Sequence, residues 1–259
     1  MSSPAKLITI RLSHYCEKAR WALDRAGVPY VEEAHIPLVH RIFTTRNKGR
    51  TVPLLVVGSN VLVDSPAIVA YADSFGGGDL LYPKDDARRQ EVNRWESYFD
   101  RELGPHVRRW LYSYLLDRRR LMIDLWSDGV PAIEACMTPI VYPLARRLIR
   151  RGYRVTAEDA ARSLDAIKTV FSKVGASLEE GNQFLVGEQF TAADLAFASL
   201  AAPLLLPPTC PAALPTRNQL PQSLLDGLEE FRTSKAGMFA LRLYDQARHD
   251  ARRGRVTSV

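Results

Sequence analysis

Apolar positions in the first 75 residues follow two different periods. In "KLITIRL", Ile8, Ile10 and Leu12 share one face of an extended segment. In "YCEKARWALDRAG", Cys16, Ala19, Leu23 and Ala26 recur at helical spacing, and Gly27 is a natural stop. A strand followed by a helix is predicted. "PYVEEAHI" then reads as a second strand, "LVHRIFTTRN" as a short helix, "PLLVVGSNVLVD" as a hairpin turning at Gly58–Ser59–Asn60, and "SPAIVAYADSFG" as a third helix. The order is βαβαββα. After the turn-rich "GGGDLLYPKDD" the strand signals fade, and helices are predicted over roughly 86–118, 131–151, 156–180, 191–205, 221–233 and 235–250. Thr191 followed three residues later by Asp194 marks one helix start as a capping box, with Pro203 and Pro207–Pro208 marking its end. The expected organisation is an α/β domain over 1–76, a linker over 77–85 and an all-helical domain over 86–259.

Composition narrows the function classes. With 259 residues and 46% hydrophobic content the chain can bury a substantial core. No apolar run reaches the roughly 18 residues of a membrane-spanning helix, and "MSSPAKLITIRLSHY" lacks a secretory pattern, so a cytoplasmic location is expected. Cys16, Cys136 and Cys210 are odd in number and far apart, which predicts reduced thiols. The net charge of +6 comes with arginine clusters in "HVRRWLYSYLLDRRR", "ARRLIRRGYR" and "ARHDARRGRVTSV". No nucleic-acid-binding motif accompanies them, so they read as solvated surface that attracts anionic small substrates. The histidines, His14, His35, His40, His106 and His249, show no metal-ligand spacing, and neither G-x-S-x-G nor a phosphate-binding glycine loop occurs. No metal or nucleotide is implied.

The βαβαββα order, S-x-x-C at the first helix, "TVPLL" before the hairpin, "DSPAIVAYAD" after it, and "FLVGEQFTAADLAFA" in the helical half together resemble the two-domain cytosolic glutathione transferase family. The resemblance covers nearly the whole chain. One departure is the segment from about 119 to 153, which looks like an extra helix and loop. The resemblance implies a thioredoxin-like first domain that takes glutathione as co-substrate. It also implies a cis peptide at Val52–Pro53, with the Val52 backbone pairing with the cysteinyl part of glutathione. Ser65 as N-cap and Pro66 as first helical residue make an anion site in their own right. By resemblance Ser65 would hold the γ-glutamyl carboxylate and Asp64 the α-ammonium. Arg50 best fits the position that meets the glycine carboxylate, with Lys48 as the fallback.

At the first helix Ser13 occupies the place of the attacking thiol in a thioredoxin fold, and a hydroxyl there cannot form a mixed disulfide. It can donate a hydrogen bond to the glutathione sulfur. Lowering a thiol pKa from about 8.5 to about 6.5 takes roughly 2.7 kcal/mol, within reach of one charge-assisted hydrogen bond at roughly 1.5–3 kcal/mol plus a helix N-terminus at roughly 0.3–1. His14 and Tyr15 are alternative donors, and Cys16 reads as a small buried core residue. The expected activity is addition of glutathione to small hydrophobic electrophiles by a homodimer joined between the first domain of one chain and the second of the other. Cleft-side members of Trp95, Tyr98, Phe99, Trp110, Tyr112 and Tyr114 would form the acceptor wall, and the extra segment a lid or wall with its arginines in solvent. Two alternatives stand: a non-enzymatic binding or scaffolding protein, and a thiol oxidoreductase using Cys16.

Overall fold

The computed structural model describes residues 4–178 and 181–248. The arginine-rich tail from 249, including His249, lies outside the described residues. Four strands form one mixed sheet in the order β2-β1-β3-β4: β1 (Ala5–Thr9), β2 (Tyr30–Ala34), β3 (Leu54–Val57) and β4 (Asn60–Val63). β1 and β2 are parallel, Leu7 opposite Glu32, while β3 runs antiparallel to both β1 and β4. Helices α1 (His14–Arg25), α2 (His40–Arg46) and α3 (Ser65–Phe75) complete the βαβαββα unit. Gly58 turns the hairpin with φ of 57°, a conformation that favours glycine. β1 stops earlier than "KLITIRL" suggests. Leu7, Ile8 and Thr9 are all buried, as in a strand covered on both faces, and Ile10 and Leu12 belong to the following loop.

The second part of the chain is helical: α4 (Asp86–Glu102), α5 (Gly104–Leu115), α6 (Arg119–Ser127), α7 (Ala132–Gly152), α8 (Ala157–Ser177), α9 (Ala192–Leu205), α10 (Gln222–Thr233) and α11 (Lys235–Leu243), which runs into a wider π turn over Tyr244–Arg248. The single helix predicted over 86–118 is two. Pro105 has no N–H to continue the ladder, and the chain breaks at Leu103–Gly104. Gly104 is also sterically required, since a Cβ there would lie 2.2 Å from the Tyr15 hydroxyl oxygen. α7, by contrast, runs through Pro139 and Pro143. Pro143 cannot donate to the Pro139 carbonyl, and Arg119 Nη2 donates to it instead at 3.3 Å. Pro203 likewise lies inside α9 rather than at its end, which comes at Leu206 with φ of 47°.

α1 is the shared wall of the two parts. It packs on α3 within the first and on α9 within the second. Its charged residues are buried and paired: Lys18 Nζ with Asp100 (2.7 Å) and Glu96 (3.0 Å) of α4, Glu17 with Arg248 (2.8 Å), and Asp24 with Arg248 (2.7 Å). The segment before α4 is held as well, Asp73 accepting from the Leu81 and Tyr82 backbone N–H groups at 2.7 and 3.2 Å.

At the start of α9, Asp194 is fully buried and accepts from the Leu185 N–H (2.8 Å), the Thr191 N–H (2.8 Å) and the Thr191 hydroxyl (2.9 Å). Burial outweighs these bonds and raises its carboxyl to about 6. A folded-state value above the ordinary 3.8 means that the folded protein holds this proton more tightly. The stabilisation is complete below pH of about 4 and is lost as pH rises through about 6. Asp194→Asn should therefore lack a decline of roughly 2–3 kcal/mol that urea unfolding resolves in the wild type between pH 4 and pH 7.

Candidate active site

The loop after β1 brings Ser13 to the N-terminus of α1. Its N–H donates to the Ile10 carbonyl (3.0 Å), and its Oγ accepts from the Cys16 N–H at 3.4 Å, a long N-cap bond that leaves the hydroxyl proton available. Ser13 lines a cavity of about 420 Å³ between the two parts of the chain. On the sheet side the cavity is closed by Pro37, Leu38, Arg50, Thr51 and Val52, and on the helical side by Arg108, Leu111, Tyr112 and Leu115 of α5 together with Tyr153. The Val52–Pro53 peptide is cis. Asp64 and Ser65 stand outside the cavity lining, connected to it by the Thr51 hydroxyl, which donates to Asp64 Oδ1 at 2.7 Å.

The helix start at α3 differs by one residue from the expected one. Asp64 is the cap position and Ser65 the first helical residue, with Pro66 second. Asp64 holds φ of 71° and ψ of 155°, a region that costs a non-glycine residue about 1–3 kcal/mol, and its N–H donates to the Pro53 carbonyl at 3.2 Å. The Ser65 hydroxyl is buried without a hydrogen-bond partner. That is a polar group prepared for an incoming acceptor. Arg50 lines the cavity, whereas Lys48 does not.

The neighbours of Ser13 are committed elsewhere. His14 Nε2 donates to the Gly104 carbonyl at 3.1 Å, and burial, reinforced by Arg108, lowers the ring's pKa to about 3, so it is neutral at any working pH. Tyr15 donates its hydroxyl to the Asp100 carbonyl at 2.8 Å, and burial pushes its phenol above the ordinary value. Cys16 has no exposed surface, and burial likewise raises its thiol. Such a thiol is a poor nucleophile. His14 and Tyr15 line the cavity with Ser13, but Ser13 is the hydroxyl of this turn whose proton is not given to a backbone carbonyl.

Family models for the glutathione S-transferase N-terminal and C-terminal domains match residues 7–78 and 133–220. The chain belongs to the glutathione S-transferase family. Solved structures similar to this glutathione transferase-family protein include a possible glutathione S-transferase from Rhodopseudomonas palustris, 19% identical, with 98% of this chain and 97% of that chain covered at a TM-score of 0.60. The β-etherase LigF from Sphingobium sp. strain SYK-6 is 17% identical over 93% and 99% of the two chains, at a TM-score of 0.59. A theta class glutathione S-transferase from Xanthomonas axonopodis pv. citri, solved with glutathione bound, is 20% identical over 93% and 98%, at a TM-score of 0.52. These likenesses are of fold. Comparison with curated proteins gave no match.

Several lining residues carry no motif. Of the six aromatic residues expected at the acceptor wall, Tyr112 lines the cavity, while Phe99 and Trp110 are core. The segment over 119–153 supplies part of the wall through Met122, Leu148, Ile149 and Tyr153, and the C-terminal family model covers it from residue 133. Its arginines are only partly free, since Arg146 and Arg150 both pair with Asp117. Arg108 belongs to a basic cluster that reads as solvated surface in the sequence, yet it is half-buried in this cavity. His40 and Arg41 line it too.

Gly104→Ala should force Tyr15 from its seat and lower stability by about 1–3 kcal/mol in chemical denaturation. Tyr15→Phe should keep activity within about threefold and lose only one hydrogen bond, about 1 kcal/mol. A larger loss of turnover in Tyr15→Phe than in Ser13→Ala would assign the sulfur contact to Tyr15.

Proposed function

We propose that this protein is a glutathione transferase that binds glutathione, stabilises its thiolate with the Ser13 hydroxyl and adds it to a small, largely apolar electrophile. The observation that carries this reading is the free hydroxyl proton of Ser13. It lines the cleft at a helix N-terminus with its proton uncommitted, while His14 and Tyr15, which line the same cavity, are bonded to backbone carbonyls and Cys16 is enclosed. In the proposed complex the Val52 backbone pairs with the cysteinyl unit. The free Ser65 hydroxyl and the α3 N-terminus take the γ-glutamyl carboxylate, Asp64 the α-ammonium, and Arg50 the glycine carboxylate. The buried Ser65 oxygen lacking a partner fits this ligand chemistry. Cys16 has no part in the reaction, and the thiol-exchange alternative requires a group that the fold encloses.

The site works by differential stabilisation of charge. Glutathione is held by groups remote from its sulfur, which places the sulfur near the Ser13 hydroxyl and the positive end of α1. The thiol proton leaves to solvent, and the hydroxyl bond then favours the thiolate. Ser13→Ala should leave retention on immobilised glutathione intact, raise the apparent pKa of the conjugation rate and lower turnover about ten- to a hundredfold near pH 7. Full activity with an unshifted profile from pH 6 to 9 would reduce Ser13 to a helix cap.

Cytoplasmic location and a detoxifying role follow from this chemistry, which consumes reduced glutathione. No helix among the described residues is long and apolar enough to cross a membrane. We further propose a homodimer. Exposed Ile133, Met137, Ile140 and Leu144 form a stripe along α7, and Phe75 of α3 is exposed on the first domain, giving apolar surface on both parts of the chain. Light scattering at micromolar concentration should give twice the chain mass, and Ile140→Glu should shift the protein toward monomer.

A further inference from the structure

We propose that the acceptor substrate carries a carboxylate on its apolar body and that Arg108 receives it. This deepens the transferase reading and rests on it for the identity of the site as an acceptor pocket. The cavity lining contains three arginines, Arg41, Arg50 and Arg108, and, among the described residues, no aspartate or glutamate. Arg41 and Arg50 are exposed on the sheet side, and Arg50 is assigned to glutathione. Arg108 is different. It rises from α5 on the acceptor side, half-buried among Leu111, Leu115, Met122 and Ile149, and its Nε is buried without a hydrogen-bond partner.

The guanidinium is also fixed in place. Its carbon lies 3.8 Å from the centre of the Tyr153 ring, and that ring stacks on Tyr112 at 6.1 Å with only 5° between the planes. Tyr153 is anchored in turn by Arg109, whose Nε donates to its carbonyl at 2.7 Å. A stacked guanidinium satisfies its faces and leaves its in-plane N–H donors for a planar acceptor. Placed in an apolar cavity with no counter-charge, it would be stabilised by an anion that forks onto those donors. Arg108 also acts on Ser13's neighbours, His14 and Tyr15, by through-space charge, so an acid bound there lies close to the sulfur end of the pocket. The leucine-rich remainder of the wall suits an aromatic or aliphatic body.

Titration calorimetry with 3-nitrobenzoate and its methyl ester reads this contact without turnover. The wild type should bind the acid at least about tenfold more tightly than the ester. Arg108→Met should remove that preference with less than about threefold change for the ester, and Arg108→Lys should keep part of it. An acid bound no more tightly than the ester by the wild type overturns the proposal without reference to any variant, as does a preference that survives in Arg108→Met and disappears in Arg41→Met. Turnover is read separately with 4-chloro-3-nitrobenzoate. There the glutathione sulfur bonds to the ring carbon, the carbon–chlorine bond breaks, chloride leaves with the electron pair, and the thiol proton passes to solvent. An acid preference without turnover of either the acid or its methyl ester keeps the Arg108 contact and removes the transferase reading. Turnover of the ester by a protein with no acid preference keeps the transferase and removes the contact.

Discussion

The burial of charge along α1 is the constraint on which the rest of the structure depends. Glu17, Lys18, Arg20 and Asp24 are all removed from solvent, and an unpaired charge in such a place costs several kcal/mol. Their partners come from far along the chain: Glu96 and Asp100 from α4, Glu32 from β2, and Arg248 from the far end of the described residues. The pairs of Lys18, Glu17 and Asp24 are satisfied only when the helical part is docked against the α/β part in one register. Apolar contact of α1 with α9 is non-directional and would tolerate small slips, whereas paired charges do not.

That register sets the chemistry of the cleft. Because α4 and α5 are fixed against α1, the Gly104 and Asp100 carbonyls meet His14 and Tyr15, and the donor groups of both side chains are occupied there. Gly104 has two roles in this, ending α4 with Pro105 and admitting the Tyr15 ring where a Cβ would collide. The same placement brings Arg108 into the cavity that Ser13 lines. One helix break therefore decides which donors of the α1 turn are already occupied and which cation lines the cavity.

The α6–α7 segment joins both parts, and the C-terminal family model takes in α7 from residue 133 onward. Glu134 near the start of α7 accepts from the Ile36 N–H (3.0 Å) and bonds His35 Nδ1 (2.7 Å) beside the sheet. Tyr142 donates to the Leu116 carbonyl at 2.6 Å beyond α5. Buried Met122 and Trp126 anchor α6 in the main core, so this segment is a packed wall with its far face exposed.

Much of this was legible in local patterns. The βαβαββα order, the hairpin at Gly58, the Thr191–Asp194 cap and the family itself follow from periodicity and short motifs, because backbone conformation and capping respond to residues a few positions apart. The cluster of Ser13, Arg50 and Val52 was legible for the same reason, each lying in a motif. Cys16 as core also follows, since it shares the apolar face of α1 with Ala19 and Leu23. Arg108 and Tyr153 could not be found that way. In the sequence Arg108 sits in a basic run like any solvated surface, and only the crossing of α5 over the α1 turn, with the packing of residues 45 positions apart, turns it inward. The buried partners of Lys18 and Glu17, and the carbonyls that occupy His14 and Tyr15, are of the same kind. Sequence determines local structure through short-range sterics and hydrogen bonding, while burial, pairing and the sign of the charge that a site presents depend on which distant surfaces meet.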